Sequence, residues 1–236
     1  MRGHSSPVSS DQRHCHPRLG KLVSRHLGNE HRRPIAAHTR AAFEAIRHTV
    51  EQRAAPLVFD SFCGTGMSTA LLAQRHPDCL IIGIDKSAHR INKHSATAPP
   101  DYLLVRADCG DFWRLALAAG WALQWHYLFY PNPWPKQSQL QRRLHGSPEF
   151  SSLLALGGWV ELRSNWQVYV EEFGSALHLA GHPAWVDSPE VGVPVSLFER
   201  KYLHSGHPLW RCRCKLNDSA RLAGGGLIGG AQHVQD

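Results

Sequence analysis

Apolar residues recur with two different periods along this chain. "HTRAAFEAIRHTV" sets Ala41, Phe43, Ile46 and Val50 near one face of a helix, and "PLVFDSF" follows as a short unbroken apolar run, the mark of a strand buried on both faces. The alternation continues. "MSTALLAQRHP" reads as a helix opened by small residues, "CLIIGID" as a strand, the polar stretch through Asn92 as a helix and "DYLLVRAD" as a strand. "FWRLALAAG" is helical, and "LQWHYLFY" and "GGWVELRS" are strands. Short strands alternating with helices predict a mostly parallel, doubly wound α/β sheet whose crossovers share one hand. Near the end, "VSLFERKYL" and "PLWRCRCKL" flank "HSGH", which predicts a hairpin with Gly206 in its turn, so the sheet is expected to end in an antiparallel pair. Residues 1–30, rich in Ser, Pro, His and Arg, and the Gly-rich stretch 217–236 lack this periodicity and read as a basic disordered tail and a flexible tail around a domain over 31–216.

Composition narrows the class. A chain of 236 residues suits one sizeable core, and 42% hydrophobic with 19% charged residues is ordinary for a globular protein. No apolar run approaches the roughly 18 residues of a membrane span, and the first 20 residues lack the apolar segment of a secretory signal, so no membrane association and a cytoplasmic location are expected. The six cysteines are then reduced, none is spaced C-x-x-C, and neither they nor the 17 histidines form a metal-ligand pattern. The net charge is +7, and it is unevenly placed: residues 1–50 hold nine Lys and Arg against three Asp and Glu. Such an excess suits a polyanion.

In a doubly wound sheet, ligands bind beyond the carboxyl ends of the strands. Asp60 ends the first strand in "VFDSFCGTGMST", followed by Gly64 and Gly66 in the turn before a helix, where a missing Cβ lets backbone approach a ligand. Asp85 ends the second strand, 25 residues later, where a carboxylate can accept both hydroxyls of a ribose. Asp108 follows the third and can meet an adenine amine. Three acids at consecutive strand ends point to a nucleoside cofactor. A dinucleotide would favour a third glycine where Thr69 stands and a pyrophosphate at the helix start, so the phosphate-free S-adenosyl-L-methionine fits better.

After the fourth strand comes "YPNPWPKQSQLQRR", which resembles the Pro-Asp-Pro-Trp-x-Lys…Lys/Arg-Arg pattern of the tRNA guanine-N7 methyltransferases. "GGWVELRSNWQVYVEEF" resembles that family's Gly-Gly strand and tyrosine-bearing helix, and "SLFERKYLHSGHPLWRCRCK" its Thr-x-x-Glu, Gly-His and final strand. The similarity runs in consistent order from about Arg33 to Lys215. It implies a Rossmann-like class I methyltransferase that moves the methyl of S-adenosyl-L-methionine to N7 of a guanine in the tRNA variable loop. Carried over, it implies cofactor contacts from Asp60, Gly64, Gly66, Asp85, Asp108 and Asn132, with Asn132 in the place of the catalytic aspartate. Substrate contacts would come from Lys136, the stretch from Ser138 to Arg143 with Arg142 and Arg143, Asn165, and Ser196 with Glu199.

The departures are chemical. Asn132 and Asn165 are amides where the family pattern has acids, and Phe62 stands at the first glycine of the nucleotide loop. Guanine N7 has a lone pair and no proton, so methyl transfer to it needs alignment and a tolerant electrostatic environment rather than a general base. Pro131, Pro133 and Pro135 restrict the backbone around Asn132 and Trp134, which limits the entropy lost on alignment. Two other readings stay open. "DSFCGTG" and Asn132 also resemble enzymes methylating exocyclic amines, although Trp134 stands where their second proline belongs. A non-catalytic cofactor- or RNA-binding relative is the third.

Overall fold

The computed structural model describes residues 5–95 and 101–216; the Gly-rich segment 217–236 lies outside the described residues. Seven strands form one sheet: β1 Leu57–Ser61, β2 Leu80–Asp85, β3 Tyr102–Arg106, β4 Leu123–Phe129, β5 Trp159–Ser164, β6 Ala184–Asp187 and β7 Trp210–Lys215. Their order is β3-β2-β1-β4-β5-β7-β6. The first five run parallel, and β7 lies antiparallel between β5 and β6. Order reverses between β1 and β4, which opens a crevice at their carboxyl ends.

Eight helices accompany the strands among the described residues: α1 Leu19–Leu27, α2 Ala37–Arg53, α3 Met67–Arg75, α4 Ala88–Ile91, α5 Cys109–Ala118, α6 Glu149–Ala155, α7 Gln167–Leu179 and α8 Leu197–His204. Every residue of β1 and β2 is buried, as unbroken apolar runs require. Successive side chains on β1 enter opposite layers. Phe59 joins Phe43, Phe112, Trp121 and Phe173 on one face, and Val58 joins Leu72, Ile81 and Tyr127 on the other. None of the helices in the described residues is long and apolar enough to cross a membrane.

Two expectations are corrected here. Residues 5–30 do not trail loosely: Leu19, Leu22 and Val23 place an i, i+3, i+4 stripe of α1 into the core, and Gln12 and His16 are buried against Glu172 of α7. Three apolar positions among so many basic and polar ones are too sparse a stripe to read from periodicity. The second correction concerns "VSLFERKYL", which forms α8 rather than a strand. The Ser196 hydroxyl accepts from Glu199 N–H at 3.1 Å, and the Glu199 carboxylate reaches back to Val195 N–H at 2.6 Å, a capping arrangement that starts a helix. Gly206, at φ +69°, does turn the chain into β7, whose antiparallel partners are β5 and β6.

Candidate active site

A cavity of about 500 Å³ opens at the switch point, within the size range of small-molecule sites. Asp85, Asp108 and Asn132 all line it, together with Phe62, Asn165 and Arg142.

The floor is built from the turn after β1. Asp85 is almost wholly buried; its Oδ2 accepts from Gly64 N–H at 3.0 Å, and its Oδ1 accepts from Ser87 N–H at 2.8 Å while facing Arg90 Nη2 at 3.0 Å. Asp108 caps α5 by accepting from Asp111 N–H at 3.2 Å through Oδ1, which leaves Oδ2 outside that cap. Gly66 adopts φ +77°, and a Cβ there would lie 2.8 Å from His94 Nδ1 and 2.9 Å from Leu104 Cδ1, so the turn excludes any larger residue. His94 fastens this turn: its Nδ1 donates to Thr65 O at 2.8 Å, and Tyr102 OH donates to its Nε2 at 2.6 Å.

Asp60 differs from the other two acids. It is fully buried beneath the turn, where its Oδ2 accepts from Ser68 Oγ at 2.6 Å and Thr69 Oγ1 at 2.7 Å, and it does not line the cavity. Burial raises its carboxyl to about 6, and Oδ1 has no partner among the described residues. Asp60 therefore holds α3 against the turn from below.

The wall opposite is the loop after β4. Asn132 Oδ1 accepts from Trp134 N–H at 3.2 Å, an Asx turn that fixes the amide. Tyr130 and Trp134 on either side take φ +54° and +49°, and Phe62 across the cavity takes +66°. Of the four non-glycine residues with positive φ in the described chain, three line this cavity. Each such conformation costs about 1–2 kcal/mol, so the surrounding contacts must hold it. Those contacts are present. Tyr130 N–H donates to Arg163 O at 2.9 Å, its hydroxyl donates to Glu199 Oε1 at 2.7 Å, and Arg143 Nε donates to Trp134 O at 3.1 Å.

Several expected substrate contacts fall elsewhere. Arg143 is completely buried, paired with Glu172 and out of reach of any phosphate; α7 turns Glu172 inward and that carboxylate demands a cation. Glu199 is also fully buried, accepting from Tyr130 OH and from Arg163 Nη1 at 2.9 Å, and Ser196 is its helix cap, so both support the Tyr130 loop from behind. Lys136 is exposed next to the cavity at the start of a 3-10 turn, Gln137–Arg142. Arg142 does line the cavity, its guanidinium 4.9 Å from the centroid of the Trp134 ring. Asn165 lines it too, with Nδ2 donating to His207 Nδ1 at 3.1 Å. Lys86, Arg90, Phe198 and Tyr202 also line it and were not anticipated. Lys86 and Arg90 follow Asp85 directly, and Phe198 and Tyr202 share a face of α8 that only the helical reading reveals.

The acceptor set fits a nucleoside: among the described residues Asp85 uses three of about four acceptor directions and keeps one open, Asp108 keeps one oxygen unpaired, and Phe62 offers an aromatic wall. A family model described as "Putative methyltransferase" matches residues 54–212. Among curated proteins, the tRNA (guanine-N(7)-)-methyltransferase of Leifsonia xyli subsp. xyli is 28% identical over 173 residues, covering 67% of this chain and 75% of that protein. The protein of the same name from Saccharophagus degradans is 28% identical over 173 residues, covering 67% and 74%. Among solved structures, the 16S rRNA methyltransferase KamB has a similar fold, with TM-score 0.55 and 17% identity over 73% of this chain and 93% of that one.

Proposed function

The chain belongs to the methyltransferase family whose model spans residues 54–212, and from that premise we propose that it transfers a methyl group from S-adenosyl-L-methionine to N7 of a guanine in the tRNA variable loop. The observation that carries this reading is the shared cavity, in which the amide of Asn132, locked between two backbone-strained neighbours, stands across from Asp85 and Asp108. The names of the similar curated proteins support the acceptor.

S-adenosyl-L-methionine, when bound, supplies an electrophilic methyl on a sulfonium. Asp85 would accept the ribose hydroxyls, Asp108 an adenine amine, and the Gly64–Gly66 turn would let backbone approach. Asn132 and Asn165 would orient the guanine, with Arg142 and Lys136 taking adjacent phosphates. Because N7 carries no proton, the chain needs no base at the reacting atom, and alignment by the rigid loop does most of the work. Asp60, Arg143, Ser196 and Glu199 act as positioning residues: Asp60 holds the turn, and the other three hold the loop.

The test is methyl incorporation from a tritiated donor into tRNA lacking the modification, followed by nucleoside analysis. 7-Methylguanosine is expected. A methylated exocyclic amine would reassign the acceptor, and absence of incorporation despite cofactor binding would mark a non-catalytic relative. Asn132→Asp sharpens it. Charge-assisted hydrogen bonds contribute about 1.5–3 kcal/mol against about 0.5–1.5 for neutral ones, so the turnover rate is expected to stay level or rise up to roughly ten-fold. A clear fall would show that the pocket is shaped for another acceptor.

A further inference from the structure

A second cavity, of about 310 Å³, lies between α1 and the 3-10 turn Gln137–Arg142. Arg18, Lys21 and Arg25 stand along one side at i, i+3 and i+7, a single helical face, and Ser138 and Gln141 form the other side over a floor of Leu22 and Leu140. All three cations are exposed, and among the described residues none of them is in an ion pair. Three unneutralised charges facing a hydroxyl and an amide make a groove suited to phosphate oxygens.

The groove and the candidate active site share one wall. Arg142 of the 3-10 turn lines the cavity that holds Asn132, while Ser138 and Gln141 of the same turn line the groove. Buried and half-buried hydrogen bonds tie the two together. Gln12 Nε2 donates to Glu172 Oε1 at 2.6 Å, His16 N–H donates to the same oxygen at 2.7 Å, Arg143 Nη2 donates to Gln12 Oε1 at 3.0 Å, and Ser10 Oγ donates to Pro135 O at 2.6 Å. The segment leading into α1 is thus fastened to the loop that carries Asn132.

We propose that the α1 groove, through Arg18, Lys21 and Arg25, binds the phosphodiester backbone of the substrate RNA next to the nucleotide entering the active site. This rests on the tRNA reading above. An ordinary solvated helix face would not close a groove against the very turn that borders the reaction cavity, nor would it be anchored by a buried ion-pair network.

The experiment compares the full-length wild type with the combined variant Arg18→Ala, Lys21→Ala, Arg25→Ala. tRNA affinity is measured across a range of salt concentrations, together with KM and kcat for methylation and the affinity for S-adenosylhomocysteine. Loss of three phosphate contacts predicts a KM for tRNA at least ten-fold higher and a log–log salt slope shallower by about 2–3. Turnover at saturating tRNA and cofactor affinity should change less than two-fold. Swapping the cations among themselves (Arg18→Lys, Lys21→Arg, Arg25→Lys) should restore most of the affinity, which a folding defect would not permit. Unchanged tRNA affinity and salt slope in the alanine variant would overturn the proposal, and binding of poly-glutamate by the wild type alone would then assign the groove to an acidic protein. A wild type whose tRNA affinity depends on these residues but whose methyl lands elsewhere would contradict the guanine-N7 reading and leave the groove standing.

Discussion

Replacing Glu172 with alanine is expected to destabilise the protein by about 3–5 kcal/mol, the usual cost of stripping one partner from a buried ion pair, and to lower its melting temperature by roughly 10 °C. Arg143 would be left fully buried with no carboxylate, and Gln12, His16 N–H and His145 would lose the acceptor they share. Burial works against the charge on Glu172, but the hydrogen bond from His145, the guanidinium of Arg143 and the His16 N–H outweigh it and hold the carboxyl at about 2 against an ordinary 4.5. Burial lowers His145 from its ordinary value while Glu172 works the other way, and Arg143 is the permanent cation facing the carboxylate. Because the folded value lies below the unfolded one, this stabilisation is present above pH 4.5 and is lost as pH falls through about 2. Urea unfolding of wild type and Glu172→Gln should therefore show a gap at pH 7, on the order of 3 kcal/mol for the titration alone, that closes at acid pH. A gap below about 1 kcal/mol at pH 7, or one that does not depend on pH, would mean that the network contributes little. Function should suffer as well, since Arg143 also donates to Trp134 O and Lys136 O in the loop that aims Asn132.

Asp85→Ala should weaken cofactor binding by about 100-fold or more, measured by calorimetry with S-adenosylhomocysteine. Two losses combine. The variant removes the acceptor proposed for the ribose hydroxyls, and it leaves Gly64 N–H, Ser87 N–H and the Arg90 guanidinium without the carboxylate that now organises them. Losing hydrogen bonds to a charged group costs about 1.5–3 kcal/mol, and the freed Arg90 inside the cavity adds an unpaired cation. Asp85→Asn keeps the shape and one acceptor, so an intermediate loss is expected. Cofactor affinity indifferent to both substitutions would remove Asp85 from the site.

The parts of this fold that could be read from sequence are those written locally. Strand and helix periods gave the alternating order of elements, and acids after β2 and β3 marked the cavity because strand ends in a parallel sheet share one rim. What stayed hidden depends on partners distant in sequence. Arg143 looked like a phosphate ligand beside Arg142, and only its encounter with Glu172, 29 residues on, turns it into the core. Glu199 looked like a substrate contact until Tyr130 and Arg163 closed over it. Asp60 shares the strand-end position of Asp85, yet it is the penultimate residue of β1 and binds Ser68 and Thr69 of α3 instead of facing the cavity. Phe62 was visible as a missing glycine, and the structure shows the consequence: the chain still takes a left-handed turn there, and its ring, edge-on to Trp113 at 6.2 Å, forms part of the cavity wall.

The proposed reaction requires an acceptor that is a ring nitrogen with a lone pair and no proton. It is tested most directly with a tRNA transcript in which the methylated guanosine is replaced by 7-deazaguanosine, which has carbon at that position and an unchanged Watson–Crick edge. tRNA binding within about two-fold of the unmodified transcript and no methyl uptake are expected. Methylation continuing at a normal rate on the 7-deaza transcript would contradict it.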